Sequence, residues 1–329
     1  MKRFAHNLMA GLITTCVLVG APYQALSQPT AQYPTKVVRL VTASGPGGGM
    51  DVMTRLVAPP LGQALGQTVM VENRGGAGGN IASAYVAKTA PDGYTLLVTA
   101  NNHIINQFVY KNPGYDARKD YAPVVLLGEG PSILITGARS PYRSFMDVIK
   151  AARSQPGKLM YGSAGSGSTT NIQGEMLKKA ANINLTHVPY KGGGPANQDV
   201  LAGQIPFALA DPSAVAQHIK AGTLRALAVT SVKRWQSLPN VPTVAELGYP
   251  GFNHVTWVGV FAPAGTPSAI ITLLNKKFTE ALANPATHER IVGLGRMPGG
   301  RSVADFGAML KADYEATGKL VSEIGLKVD

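Results

Sequence analysis

The chain is predicted to be an α/β protein. Short β-branched runs alternate with segments of helical periodicity along most of its 329 residues, which is the spacing of parallel βαβ units. One design, a strand followed by a glycine-rich loop and a helix, occurs in a first cycle and again from residue 145 onward. Those glycine turns fall where open α/β sheets bind ligands, at the carboxyl ends of strands.

The first 27 residues read as a secretory signal peptide, with an N-terminal anchor helix as the alternative. Lys2 and Arg3 open the segment, and residues 8–19 are apolar but shorter than the roughly 20 residues a membrane span needs. Ala25-Leu26-Ser27 places small residues at the inspected positions, so cleavage is expected before Gln28. The one cysteine, Cys16, lies inside this segment, and Ile13-Thr14-Thr15 before it do not make a lipobox. The mature chain then has neither disulfide nor thiolate chemistry. Removal of 27 of the 329 residues leaves 302, enough to bury a substantial core and to form two lobes rather than one.

Residues 30–34 read as a linker and 36–41 as a strand, ending in Gly45-Pro46-Gly47-Gly48-Gly49. Asp51 is a candidate N-cap for the helix carrying Val52, Leu56 and Val57, which Pro59-Pro60 should end or kink. A strand at 69–71, a glycine loop at 74–79, a helix that Asn80 can cap and that runs to about Ala90, a turn at 91–93 and a strand at 95–99 complete the first cycle. Strands at 124–127 and 132–136 are expected to join through 128–131. The second cycle runs helix 145–154, strand 159–162, a Gly/Ser/Thr loop at 163–170 and helix 171–180. It continues with strand 185–189, glycine loop 192–194, helix 195–202, and strands 206–209 and 224–229. A strand at 257–261 precedes helices at 268–282, 288–294 and 303–324.

Net charge is +12, and +10 once Lys2 and Arg3 leave with the signal. The basic residues are scattered in pairs such as Lys178-Lys179 rather than in runs, so no nucleic-acid partner is expected. Three loops carry the candidate chemistry: 45–51, 162–171 and 190–195. Glycine lets backbone approach a ligand closely, and free N–H groups at a helix start form an anion nest. Ser166, Ser168, Thr169 and Thr170 add hydroxyl donors. Two such nests facing each other would hold a carboxylate with no buried Lys or Arg.

Catalytic sets are missing. No Gly-x-Ser-x-Gly elbow, P-loop or dinucleotide fingerprint is present, and no histidines pair at metal-ligand spacing. No enzyme activity, cofactor or metal is expected. His103, following Asn101-Asn102 at a strand end, is the histidine to watch. Asp211 stands at another strand end, where it either caps the helix from Ser213 or contacts ligand.

The same residues resemble the tripartite tricarboxylate transporter receptors, also called Bug proteins. Matching stretches are Pro46-Gly47-Gly48-Gly49-Met50-Asp51, Val71-Glu72-Asn73-Arg74-Gly75-Gly76-Ala77-Gly78-Gly79-Asn80 and Pro91-Asp92-Gly93-Tyr94-Thr95-Leu96-Leu97. Further ones are Tyr161-Gly162-Ser163-Ala164-Gly165-Ser166-Gly167-Ser168 and His187-Val188-Pro189-Tyr190-Lys191-Gly192-Gly193-Gly194-Pro195-Ala196. The resemblance implies a periplasmic-binding-protein type II fold, with lobe 1 from residues 28–130 plus 256–329 and lobe 2 from 131–255. It implies a ligand carboxylate held by the Gly47-Gly48 loop and the Ser163-to-Thr169 loop, and delivery to integral membrane transporter subunits.

The expected ligand-binding residues are Ser44, Gly47, Gly48, Met50, Asn101, Ser163, Ala164, Ser168, Thr169, Tyr190 and Asp211. A periplasmic, monomeric receptor for a small carboxylate is the expectation, and a sensory protein that presents its loaded form to a kinase is the alternative. Where the family usually has an aromatic residue this chain has Ser44, and Met50 stands where Thr or Ser is common. With Tyr190 available to stack, these departures favour an aromatic mono- or dicarboxylate, unless neighbouring side chains fill the space left at Ser44.

Overall fold

A computed structural model of the chain describes residues 33–328; the expected signal peptide and Cys16 lie outside the described residues. The first strand, β1 (Val38–Thr42), follows Pro34. It is flanked in parallel by β2 (Val69–Asn73) and β3 (Thr95–Ala100). The linking helices are α1 (Gly49–Leu65) and, after a 3₁₀ turn at Ala77–Gly79, α2 (Asn80–Val86). This is the expected βαβ pattern, with β1 and β3 buried on both faces along nearly their whole length. Beyond it, α3 (Asn102–Val109) leads to β4 (Tyr121–Pro131), which passes through Ser132 directly into β5 (Ile133–Gly137). The predicted connection at 128–131 is therefore strand.

The second cycle comprises α4 (Phe145–Ser154), β6 (Met160–Ser163), α5 (Thr169–Ala181), β7 (Thr186–Pro189), α6 (Gly193–Leu201), β8 (Phe207–Ala210), α7 (Pro212–Lys220) and β9 (Leu224–Val229). The chain returns through β10 (Val255–Pro263) and ends in α8 (Ser268–Ala283), α9 (Pro285–Gly293), β11 (Met297–Pro298) and α10 (Val303–Ile324). The helix α4 shows why local sequence suffices in places. Ser144 accepts from the Asp147 N–H while the Asp147 carboxylate accepts from the Ser144 N–H, a reciprocal cap on the first turn.

Two sheets result. The first has the order β11-β4-β10-β3-β1-β2, and the second β7-β6-β8-β5-β9. Neither is wholly parallel. The strand β10 runs antiparallel to both β3 and β4, and β5 antiparallel to both β8 and β9. The crossing strands cause this: β4 and β5 are one continuous run shared between sheets, so the chain enters the second sheet against its parallel strands and returns through β10 in the same way.

Each sheet has its own core. Val41, Leu97, Leu126, Trp257, Phe261 and Phe306 pack in the first half, and Phe145, Tyr161, Leu177, Phe207 and Leu209 in the second. Full burial of such side chains is worth about 1.5–3 kcal/mol each. A smaller cluster of Ile105, Val109, Ile172 and Val321 joins α3, α5 and α10 across the two halves.

Two local expectations fail. The helix α1 does not end at Pro59-Pro60 but continues to Leu65. Met53, Leu56, Val57 and Leu61 are buried along it, and that packing outweighs the backbone bonds the prolines remove. Nor do Asp51 and Asn80 cap helices: Gly48 and Gly79 hold those positions, and the two polar side chains lie inside the first turns.

Candidate functional site

The site is built from three strand-to-helix turns. Between β1 and α1 the chain turns at Gly47, whose φ of +73° suits glycine. The Asp51 side chain holds this turn from within the helix. Its Oδ2 accepts from Gly47 N–H at 2.9 Å, and its Oδ1 accepts from Arg55 Nε and Asn73 Nδ2, each at 2.8 Å. Asn73 Nδ2 also donates to Ser44 O at 3.1 Å. The N–H groups of Gly49 and Met50, in the first turn, have no partner within the helix and point out of its end.

The α5 turn is held in the same manner. Ser168 caps the helix by accepting from Asn171 N–H at 3.2 Å. Thr170 Oγ1 accepts from Ala164 N–H at 2.9 Å, and Asn171 Oδ1 from Gly167 N–H at 3.1 Å. This leaves the Thr169 and Thr170 N–H groups free of intrahelical bonds. At α6, Gly192 is the cap, and Gly193 and Gly194 precede Pro195, which has no N–H.

These turns meet across the two sheets with backbone against backbone. A Cβ added at Gly45 would lie 2.6 Å from Lys191 O, one at Gly78 2.6 Å from Ser166 O, and one at Gly194 2.6 Å from Pro46 O. The contacts close a cavity of about 70 Å³. Of the expected residues, Ser44, Gly48 and Met50 line it from the first half and Ala164, Ser168, Thr169 and Asp211 from the second.

The other four expected residues are not among the lining residues. Gly47 shapes its turn. Asn101 is spent on the return strand, its Oδ1 accepting from Trp257 N–H at 2.9 Å; its neighbour Asn102 lines the cavity instead, because α3 begins there. The Tyr190 hydroxyl donates to Asp199 Oδ2 at 2.6 Å, against α6. Ser163 Oγ lies 2.6 Å from His187 Nε2. That is the spacing of a nucleophile and its base. Yet Ser163 is fully buried, and Gly165 N–H donates to the same oxygen at 3.1 Å, so the pair stiffens the loop and faces no substrate.

Burial also accounts for the histidines. His103 packs among Tyr115, Tyr121 and Phe261 with ring centroids 4.7–5.0 Å apart, away from the cavity. Desolvation pushes its imidazole down to about 3 and that of His254 to about 4, and it lowers His187 as well. Among the described residues no group of His, Cys, Asp and Glu could hold a metal ion, and no helix is long and apolar enough to cross a membrane.

Sequence reading missed Asn102, Ser132 and Thr256 in the lining. It also missed Arg296, which is 2% exposed. Arg296 Nη2 donates to Asp211 Oδ2 and Nε to Asp211 Oδ1 at 3.3 Å. It further donates to Ser213 Oγ at 3.0 Å and to Thr256 O at 3.3 Å. Asp211 also caps α7 by accepting from Ser213 N–H at 2.9 Å, so its capping and cavity-lining roles coexist. Among the described residues it is the one ionisable side chain lining the cavity, and Arg296 balances it.

The chain resembles known proteins over nearly its whole length. A Pseudomonas sp. (strain P51) protein encoded in the tcbD-tcbE intergenic region is 37% identical over 298 residues, covering 90% of this chain and 89% of the relative. A Rhodopseudomonas palustris protein solved with adipate is 35% identical, with a TM-score of 0.86 and coverage of 90% of this chain and 99% of that one. MatC from the same organism, solved with malate, is 29% identical with a TM-score of 0.84, covering 88% and 100%. The fold is that of the periplasmic binding proteins. Residues 53–326 match the tripartite tricarboxylate transporter family receptor, and the chain belongs to that family.

Proposed function

We propose that the protein is a periplasmic receptor that closes two lobes on a small carboxylate and delivers it to the membrane subunits of a tripartite transporter, without altering it. The observation that carries the reading is the convergence of three helix starts, α1 from one half and α5 and α6 from the other, on one enclosed cavity. Their free N–H groups and aligned dipoles favour an anion, and no lining side chain offers a competing cation. The proposed lobes are residues 28–130 with 256–329, and 131–255. They meet at paired crossovers where Ser132 N–H donates to Thr230 Oγ1 at 2.8 Å and Thr230 Oγ1 donates to His254 O at 2.7 Å.

An aliphatic acid suits this cavity better than the aromatic acid expected from Ser44 and Tyr190. The Tyr190 hydroxyl is engaged by Asp199, and its ring is not in the lining. The adipate and malate carried by two relatives are of this kind. A thermal-shift screen of mono-, di- and tricarboxylates and aromatic acids tests the proposal. A ligand at about 100 times its Kd adds about 2.7 kcal/mol of stability. A protein unmoved by every carboxylate would refute it.

A further inference from the structure

One corner of the cavity is unlike the rest. Elsewhere the lining offers backbone N–H donors, but at the junction of the halves it presents an acceptor, the Asp211 carboxylate, whose side chain is 20% exposed. Two contacts from Arg296 and one from Ser213 N–H engage its two oxygens. A carboxylate has about four lone-pair directions, so acceptor capacity remains on the cavity side. Arg296 cancels its charge, so the acceptor does not repel an anion bound a few ångströms away.

Beside it lies an unused hydroxyl. The register of β5 on β8 pairs Ile133 with Ala210, which places Ser132 opposite Asp211 one step further along. Ser132 is fully buried, it lines the cavity, and its Oγ has no hydrogen-bond partner. A buried hydroxyl without a partner is costly and rare in folded proteins. The other lining hydroxyls of the junction are engaged: Thr256 Oγ1 donates to Gly130 O at 2.8 Å and accepts from Arg296 Nη2 at 3.2 Å.

We propose that Ser132 and Asp211 form a subsite for a hydrogen-bond donor carried next to the ligand's carboxylate, so that the receptor selects hydroxy- or amino-substituted carboxylates over their unsubstituted parents. A ligand hydroxyl donates to Asp211 and accepts from Ser132. An ammonium donates to both. A bare methylene leaves the Ser132 hydroxyl unpaired and the remaining acceptor capacity of Asp211 unused, and a carboxylate placed there meets an acceptor it cannot bond. The inference rests on the carboxylate-receptor reading above.

The test is calorimetry on the mature chain with matched sets: succinate, malate and aspartate; glutarate, 2-hydroxyglutarate and glutamate; adipate and 2-aminoadipate; propionate, lactate and alanine. Within whichever set binds, the substituted acid is expected to bind about tenfold tighter or better than its parent, the scale of a buried hydrogen bond to a charged group. Comparing the hydroxy and amino members identifies the donor. Ser132→Ala, a small change at a site with no protein partner, should weaken the substituted acid about tenfold more than it weakens the parent. Asp211→Asn should erase any preference for the ammonium. A parent acid that binds as tightly as its substituted partners, or a preference that survives Ser132→Ala, overturns the inference and leaves the receptor reading intact. Failure of every acid to bind overturns the receptor reading itself.

Discussion

Replacing Gly194 with alanine separates closure from folding. Gly194 lies in the first turn of α6 and is not among the glycines with positive φ, so alanine fits its backbone. Within its own half the change is neutral or slightly stabilising, since alanine exceeds glycine by up to about 1 kcal/mol in helices. The added methyl would lie 2.6 Å from Pro46 O and 3.2 Å from Gly47 C, both in the opposite half and both backbone. No side chain can swing aside to relieve the contact. Overpacking by a methylene-sized group costs about 1–3 kcal/mol, and this cost falls on the closed form alone. Ligand affinity should therefore drop about 5- to 150-fold, with the melting temperature of the ligand-free protein unchanged or raised. Gly293→Ala, a helical position with nothing within 4 Å, is the control. Calorimetry and ligand-free melting on both variants check this. Unchanged affinity for Gly194→Ala would refute the claim that these glycines meet in the binding-competent state. A matching loss of ligand-free stability would mean that the halves never part.

Further outcomes follow from the same geometry. Ser168→Ala removes the α5 cap and should cost about 0.5–2 kcal/mol in urea unfolding, with an accompanying loss of carboxylate affinity by calorimetry. Arg296→Met leaves Asp211 unbalanced beside the cavity; breaking a buried pair by removing one partner costs about 3–5 kcal/mol, and chemical denaturation should register most of it. His103 and His254 are held neutral by burial, near 3 and 4, whereas the unfolded chain protonates them near the usual value of about 6.5. Stability is thus fully present above that pH and is lost as pH falls from about 6.5 toward 4. At about 1.4 kcal/mol per pH unit, His254 alone contributes roughly 3 kcal/mol. Urea titrations across this range should show the decline, and His254→Gln should remove its own share while leaving that of His103; a pH-independent midpoint would contradict the assignment.

What the sequence made legible was local. The glycine turns of the proposed anion cradles could be read because their chemistry is written in consecutive residues, and the helix expected at 145–154 is α4. The boundary at Asn101 and Asn102 was harder. Either asparagine can begin a helix, and a one-residue difference decides which side chain reaches the cavity. Arg296 was invisible because its partners Thr256 and Asp211 lie 40 and 85 residues away. Asp51 and Tyr190 were misjudged for a related reason. Each has a polar partner that only the folded chain brings near, Gly47 N–H for one and Asp199 for the other. The antiparallel strands β5 and β10 could not be read from a pattern of alternation alone, since direction depends on where the chain crosses between sheets.

The bonds around Asp51 have a bearing on timing. Every partner that shapes the first cradle, Gly47, Arg55, Asn73 and Ser44, belongs to its own half. The second cradle is braced mainly from within, through Ala164 with Thr170 and Gly167 with Asn171, with one bond from the other half, Tyr110 hydroxyl to Ser166 O at 2.9 Å. Neither has to be assembled by an arriving ligand, so the ordering entropy is met when the chain folds and not on each encounter. In the proposed receptor, capture would then reduce to docking on a finished surface followed by a rigid swing of one half, a collective motion of microseconds to milliseconds, with no loops to make or unmake.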